Sequence, residues 1–181
     1  MGDDSIAEAA SSAPAFDVPR YETDRLVLRG FADADHEPVA RFFADPVSAL
    51  YGGPCEAWEA WRKLAVYVGH WALRGYGPFA LEERASGELV GWTGMWYPHG
   101  WPEPEITWAL LPEHRGRGYA SEGARRAIRA AFEDFGWDTA ISLIDLRNTA
   151  SIALAERLGA TREAEAPVFG EPGAIYRHRR P

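Results

Sequence analysis

Pro112-Glu113-His114-Arg115-Gly116-Arg117-Gly118-Tyr119-Ala120-Ser121-Glu122-Gly123 joins two segments of different periodicity. Before it, Glu105-Ile106-Thr107-Trp108-Ala109-Leu110-Leu111 has the pattern of a strand. After it, Ala120, Gly123, Ala124, Ala127, Ile128, Ala131, Phe132 and Phe135 recur every three or four residues, which predicts an amphipathic helix. Glu122, Arg125, Arg126 and Arg129 fall on its other face. A glycine-containing loop in this position leaves first-turn N–H groups without partners inside the helix. The aligned peptide dipoles favour an anion at the same place, and a phosphate suits it. Gly116 and Gly118 allow a tight curl and a close ligand approach, while Arg115 and Arg117 add positive charge at the loop mouth.

Two common phosphate loops are excluded. The Walker pattern needs Gly-Lys-Ser/Thr after four spacers, and no such run occurs. The dinucleotide pattern G-x-G-x-x-G fails at its third glycine, which is Ser121. What stands here is Arg-x-x-Gly-x-Ala, from Arg115 to Ala120.

Working outward, 181 residues with a hydrophobic fraction of 46% suit one domain with a sizeable core. The formal charge of −8 argues against non-specific nucleic-acid binding and favours cationic partners such as amines. The lone Cys55 excludes an internal disulfide, suits a reducing cytosol, and reads as a small half-buried residue. No run approaches the ~18 apolar residues that span a membrane. Residues 1–19 are rich in Ala, Ser, Asp and Pro; Asp3 and Asp4 oppose a signal peptide, and Ile6 breaks the myristoylation pattern. The expectation is a disordered tail over 1–19 and a single cytoplasmic domain over 20–181.

Within that domain the order is β-α-α-β-β-β-α-β-α-β-β, without repeats. Arg25 to Arg29 is a first strand. Asp33 or Asp35 caps a helix carrying Val39, Phe42 and Phe43 that stops at Asp45-Pro46. A longer helix runs from Glu56 to Arg74 with Trp58, Trp61 and Trp71 read as core. A hairpin follows, Phe79 to Arg84 and Leu89 to Tyr97, in which Gly91 and Gly94 mark a bulge or a close neighbour. The loop Pro98 to Pro104 leads into the central strand. Thr139 to Asp145 is an apolar strand covered on both faces, Asn148 to Leu158 a helix, and Ala160 to Phe169 with Ala174 to Arg179 the closing strands.

This order and three motifs resemble the GNAT superfamily of acetyl-CoA-dependent N-acetyltransferases. The motifs are the Arg115–Ala120 loop, the opening Glu22-Thr23-Asp24-Arg25-Leu26-Val27-Leu28-Arg29, and Arg147-Asn148-Thr149-Ala150-Ser151 through Leu158-Gly159-Ala160. The last two are similar to the branch that includes bacterial ribosomal-protein N-terminal acetyltransferases. The resemblance implies a mixed, mostly antiparallel α/β sheet of about seven strands with about four helices on its two faces. Acetyl-CoA would lie in the cleft at the central strands, and no metal is implied. Its pantetheine arm would pair with the strand edge at Trp108, Ala109 and Leu110, where a backbone N–H such as that of Trp108 would polarise the thioester carbonyl. N–H groups from Gly116 through Arg117, Gly118, Tyr119 and Ala120 to Ser121 would hold the pyrophosphate. Two positions depart from the family: Ala155 stands where many members carry a tyrosine acid, and Ala160 where an aromatic usually follows Leu-Gly.

The chemistry needs a neutral amine, a group that takes its proton, and one that protonates the thiolate. Glu105, at the start of the central strand, and His99, in the preceding loop, are rival bases, with bound water as a third option. Ser151 matches a family serine that hydrogen-bonds and protonates the coenzyme sulfur. Asn148 is a helix N-cap that the resemblance also allows to bind backbone or coenzyme. Tyr119 reads as packing and His114 as a surface residue. Trp96 and Trp101 are acceptor-pocket candidates that offer an amine a cation–π contact. A lysine amine near ~10.4 costs about 4 kcal/mol to deprotonate at neutral pH and an α-amine near ~8 about 1, which favours α-amines weakly. The expected protein is a monomer or homodimer acetylating a peptide N-terminus or a small amine. The alternative is a non-catalytic acyl-CoA sensor on the same fold.

Overall fold

The computed structural model describes residues 17–180; most of the expected N-terminal tail lies outside them. The strands are β1 (Tyr21–Glu22), β2 (Leu26–Arg29), β3 (Pro78–Glu83), β4 (Leu89–Trp96), β5 (Glu105–Leu110), β6 (Ala140–Asp145), β7 (Thr161–Val168) and β8 (Glu171–His178). They form one eight-stranded sheet in the order β1-β2-β3-β4-β5-β6-β8-β7. The strand beyond the expected seven is β1, whose two residues pair with β2 and are too short to show a period. Every neighbouring pair is antiparallel except β5 and β6.

Among the described residues four α-helices cover the sheet: α1 (His36–Ala44), α2 (Ala57–Arg74), α3 (Tyr119–Arg129, extended by a π turn to Asp134) and α4 (Thr149–Arg157). Alternation along β3 assigns them to faces: Phe79 and Leu81 pack with Ala124, Ile128 and Leu154 of α3 and α4, while Ala80 packs with Phe42, Phe43 and Leu64 of α1 and α2. Strand β6 is buried throughout, as its apolar run predicts. Among the described residues no helix is long and apolar enough to cross a membrane.

Local differences from the sequence reading have physical causes. Asp35 precedes α1, but its carboxylate takes Arg29 (2.7 and 2.9 Å) and the Ala32 N–H (2.8 Å) instead of capping the helix. Gly91 is a close neighbour: a Cβ there would meet the Ala109 carbonyl at 2.2 Å. The register shift lies in the partner strand, between Leu81 and Glu82. The β7–β8 turn is tighter than expected, because Phe169 (φ 51°) and Gly170 (φ 84°) both take the left-handed conformation that a two-residue hairpin turn needs.

Trp58 and Trp61 are not core; they are 59% and 51% exposed. The inward line of α2 is Ala60, Leu64 and Trp71, and at 3.6 residues per turn both other tryptophans sit roughly a quarter turn or more from it. His114 is buried, not on the surface, in a short 3₁₀ turn (Pro112–His114) whose last N–H bonds back to the Leu111 carbonyl. Tyr119 is packing, as read: its ring is buried and its hydroxyl donates to Glu83.

Candidate active site

The site begins where two strands part. β5 and β6 register at one pair, Glu105 with Ile141, held by the Ile141 N–H on the Pro104 carbonyl (2.9 Å) and the Ser142 hydroxyl on the Ile106 carbonyl (2.7 Å). Beyond it β5 stays with β4 and β6 with β8, so a wedge opens between them. Leu111 N–H donates to the Val90 carbonyl at 3.0 Å, and strand alternation therefore turns the Thr107 and Ala109 backbones toward β4. The backbones of Trp108 and Leu110 face the wedge. There the Leu110 carbonyl receives the Arg115 guanidinium at 3.2 and 3.3 Å.

A cavity of about 420 Å³ fills the wedge and continues under α2. Glu105, Trp108, Ser142, Asn148 and Ser151 line one part, and Tyr67, Trp92, Trp96 and Trp101 line another. Of the expected site residues, the cavity gathers Glu105, Ser151, Trp108, Asn148, Trp96 and Trp101. It does not gather His99, which is exposed in the loop before β5.

Glu105 is buried, and burial pushes its carboxyl up to about 8 against two opposing hydrogen bonds. Trp101 donates its indole N–H to Oε2 at 2.5 Å, and the Leu143 N–H reaches Oε1 at 3.4 Å. The four-residue separation of Trp101 and Glu105 across a proline-rich loop is a signal the sequence carries only in hindsight. Tyr67, packed against Trp92 and Trp96, has its phenol raised by burial and stays protonated.

On the other wall Trp108 donates its indole N–H to Ser151 Oγ at 3.1 Å. That hydroxyl is thus an acceptor from Trp108, with its own proton left to give. Asn148 caps α4 as read, its Oδ1 taking the Ser151 N–H at 3.1 Å. Asp145, just upstream, is lowered by its paired Arg147 (2.6 Å) and shapes the turn into the helix.

Below the wedge lies the glycine loop. Gly116 and Gly118 have φ of 75° and 84°, values that favour glycine, and no side chain caps α3 at Gly118. Sequence reasoning missed what braces this loop. Arg25 donates to the Arg117 carbonyl (2.8 Å) and to Glu122 (2.8 Å), and Thr23 donates to Glu122 (2.6 Å). The opening motif and the helix start are therefore one clamp.

Two further groups were also missed. Phe169, at the hairpin tip, faces Trp101 (ring centroids 5.8 Å apart) and lines the cavity. A left-handed residue with a side chain costs about 1–2 kcal/mol, and only the turn chemistry hinted at it. His178 shares the Ser142 hydroxyl (2.9 Å), and burial lowers it to about 4, so it is neutral.

A GNAT-fold acetyltransferase is what this sheet, wedge and loop define, and the comparisons agree. Residues 25–161 match the Acetyltransferase (GNAT) domain family, and the chain belongs to it. An uncharacterised N-acetyltransferase of Bacillus subtilis, YoaA, is 30% identical over 155 residues, 80% of this chain and 84% of that protein. An acetyltransferase from Agrobacterium tumefaciens superimposes with a TM-score of 0.84 at 32% identity, covering 93% of this chain and 99% of its own. The fold alone is shared with a ribosomal-protein-S5-alanine acetyltransferase from Vibrio fischeri (TM-score 0.70, 16% identity, 90% and 97% covered). It is likewise shared with a spermidine N-acetyltransferase from Vibrio cholerae, solved with CoA and spermine (TM-score 0.68, 18% identity, 86% and 94% covered). Members of the family use acetyl-CoA, and this chain is an acetyl-CoA-dependent acetyltransferase by that membership.

Proposed function

We propose that the chain transfers acetyl directly from acetyl-CoA to a primary amine held against Glu105, with both substrates bound together. The observation that carries this reading is one buried carboxylate, raised to about 8, in the same cavity as an open strand edge. Acetyl-CoA supplies the acetyl group as a thioester. The uncapped N–H groups from Gly116 to Ser121 would hold its pyrophosphate, with Arg115 and Arg117 beside them. The wedge-facing backbones of Trp108 and Leu110 would take its amides, and the Trp108 N–H would polarise the carbonyl. Ser151 would protonate the leaving sulfur. Ala155, at the usual tyrosine position, is fully buried and offers no competing acid.

Glu105 acts as base, and its raised pKa suits that work. Moving a proton from a lysine-type ammonium near ~10.4 to a carboxyl near 8 costs about 3 kcal/mol, against about 8 for a carboxyl near ~4.3. From an α-amine near ~8 it costs almost nothing. The aromatic walls at Trp96 and Trp101 suit a cation on its way to Glu105. The acceptor is thus an α-amine of a peptide or a small amine of similar basicity.

CoA thiol release measured with peptides bearing free N-termini, polyamines and aminoglycosides side by side tests this. Amine-dependent release is expected, largest for the α-amines. If no amine promotes release while CoA still raises the melting temperature, the sensor reading replaces the enzyme.

A further inference from the structure

Helix α2 carries a surface that acetyl transfer leaves unused. Ala60, Leu64 and Trp71 face inward, and Glu59, Arg62, Lys63, Val66 and Tyr67 border the cavity. The solvent side carries Trp58, Trp61, Ala65, Gly69 and Ala72; the exposed Arg62 borders it with its guanidinium 5.6 Å from the Trp58 ring centroid, and from Leu64 to Leu73 the helix contains no Asp, Glu, Lys or Arg. A solvated helix face is normally charged or polar, and an apolar one of this extent marks a docking surface.

We propose that a second copy of this chain covers this face, the two α2 helices packing antiparallel about a two-fold axis at Ala65. The order of side-chain sizes argues for that partner. In an isologous contact centred on Ala65, a residue some positions before it meets the partner's residue equally far after it. Trp61 then faces the partner's Gly69, Trp58 faces the partner's Ala72, and Ala65 meets its own copy. The bulky half of each helix seats on the small half of the other. A parallel pair would instead oppose indole to indole.

Gly69 supports this independently. Glycine weakens a helix interior, and no atom lies within 4 Å of where its Cβ would stand, so nothing inside the protomer requires it. Room for an indole does.

The area also suffices. Taking ~150–250 Å² for an aromatic side chain, the indoles (59% and 51% exposed), the alanines and, at the rim about 80° around the helix from Ala65, Leu73 (86% exposed) offer at most about 500 Å² per protomer. A pair then buries up to about 1,000 Å², the lower bound for a specific interface. The cavity lies toward the flank that carries Glu59, Lys63 and Tyr67, with Arg62 and Val66 at the border between it and this face.

Light scattering on the full chain tests the pairing, with a dimer of twice the 20.1 kDa protomer expected. Trp61→Gly and Gly69→Trp should each give a monomer. The chain carrying both should regain the dimer, because the reciprocal swap recreates the tryptophan–glycine contact across the axis. In a Cys55→Ser background, Ala65→Cys should cross-link on mild oxidation and Ala72→Cys should not. Retained heat stabilisation by CoA identifies folded variants. A monomeric wild type, a dimer indifferent to both single substitutions, or a folded double variant that stays monomeric each overturns the proposal. Should the swap variants not fold, equal cross-linking at 65 and 72, or none at 65, does so.

Discussion

The two ends of the wedge are built on opposite principles. At the glycine loop the groups proposed to act are backbone N–H donors, exposed, left free by a helix that starts without a side-chain cap. At Glu105 the group proposed to act is a buried side chain, whose pKa is set by burial against hydrogen bonds from one loop and one strand residue. The first kind of site depends on conformation and tolerates most side-chain changes. The second depends on desolvation and is sensitive to each neighbour. A loop made for an anion needs water access, whereas a base matched to an amine needs water excluded.

If the halves are this separate, each can be broken alone. Gly118→Asp puts a carboxylate and a strained φ of 84° where phosphate is expected. CoA should lose its heat stabilisation altogether in a calorimetric scan, since only a ligand that prefers the folded state shifts it. A folded variant still stabilised by CoA would remove the loop from the coenzyme site.

Glu105→Gln should lower kcat/KM by about 10²–10³-fold near pH 7 and leave CoA binding alone. Activity should then recover as pH rises toward the amine's own pKa. Stability gives a second sign. The folded pKa of about 8 exceeds the unfolded carboxylate value, so wild-type stability is full in acid and falls as pH rises to about 8. That slope is about 1.4 kcal/mol per unit, and the Gln variant should lack it in melts across pH 5–8. Wild-type turnover at pH 6.5 in the variant would return the base role to bound water.

Ser151→Ala should cost about 10- to 100-fold in kcat at every pH, including high pH, with the acetyl-CoA KM little changed. Recovery in base, as for Glu105→Gln, would show that Ser151 does not serve the leaving group.

Trp101→Phe keeps the ring but removes the N–H that favours the charged carboxylate. The pH–rate midpoint should move upward, with a loss of a few-fold at pH 7. An unmoved midpoint would mean that this bond does not tune the base.

The smallest effect tests the roof. Phe169→Gly relieves the positive φ and should stabilise the fold by about 1 kcal/mol. The acceptor KM should nevertheless rise a few-fold, while CoA affinity stays. An unchanged KM would place Phe169 outside the acceptor path.

What the sequence determined by itself is local. The helix of Ala120 to Phe132, the glycines before it, the buried run of β6 and the Asn148 cap follow from period, turn chemistry and capping, which act within a few residues. The shape of the glycine loop was legible for the same reason: it is a backbone conformation. Tertiary structure decided everything that depends on what faces what. Periodicity shows that α2 has apolar lines but not which one turns inward, so Trp58 and Trp61 read as core until the sheet selected Ala60, Leu64 and Trp71. Glu105 and His99 were rival bases by residue type. Burial raised one, against the hydrogen bonds from Trp101 and Leu143, and the fold left the other exposed. The clamp of Thr23 and Arg25 on Glu122 joins residues nearly a hundred positions apart, a distance over which only the folded sheet brings charges together.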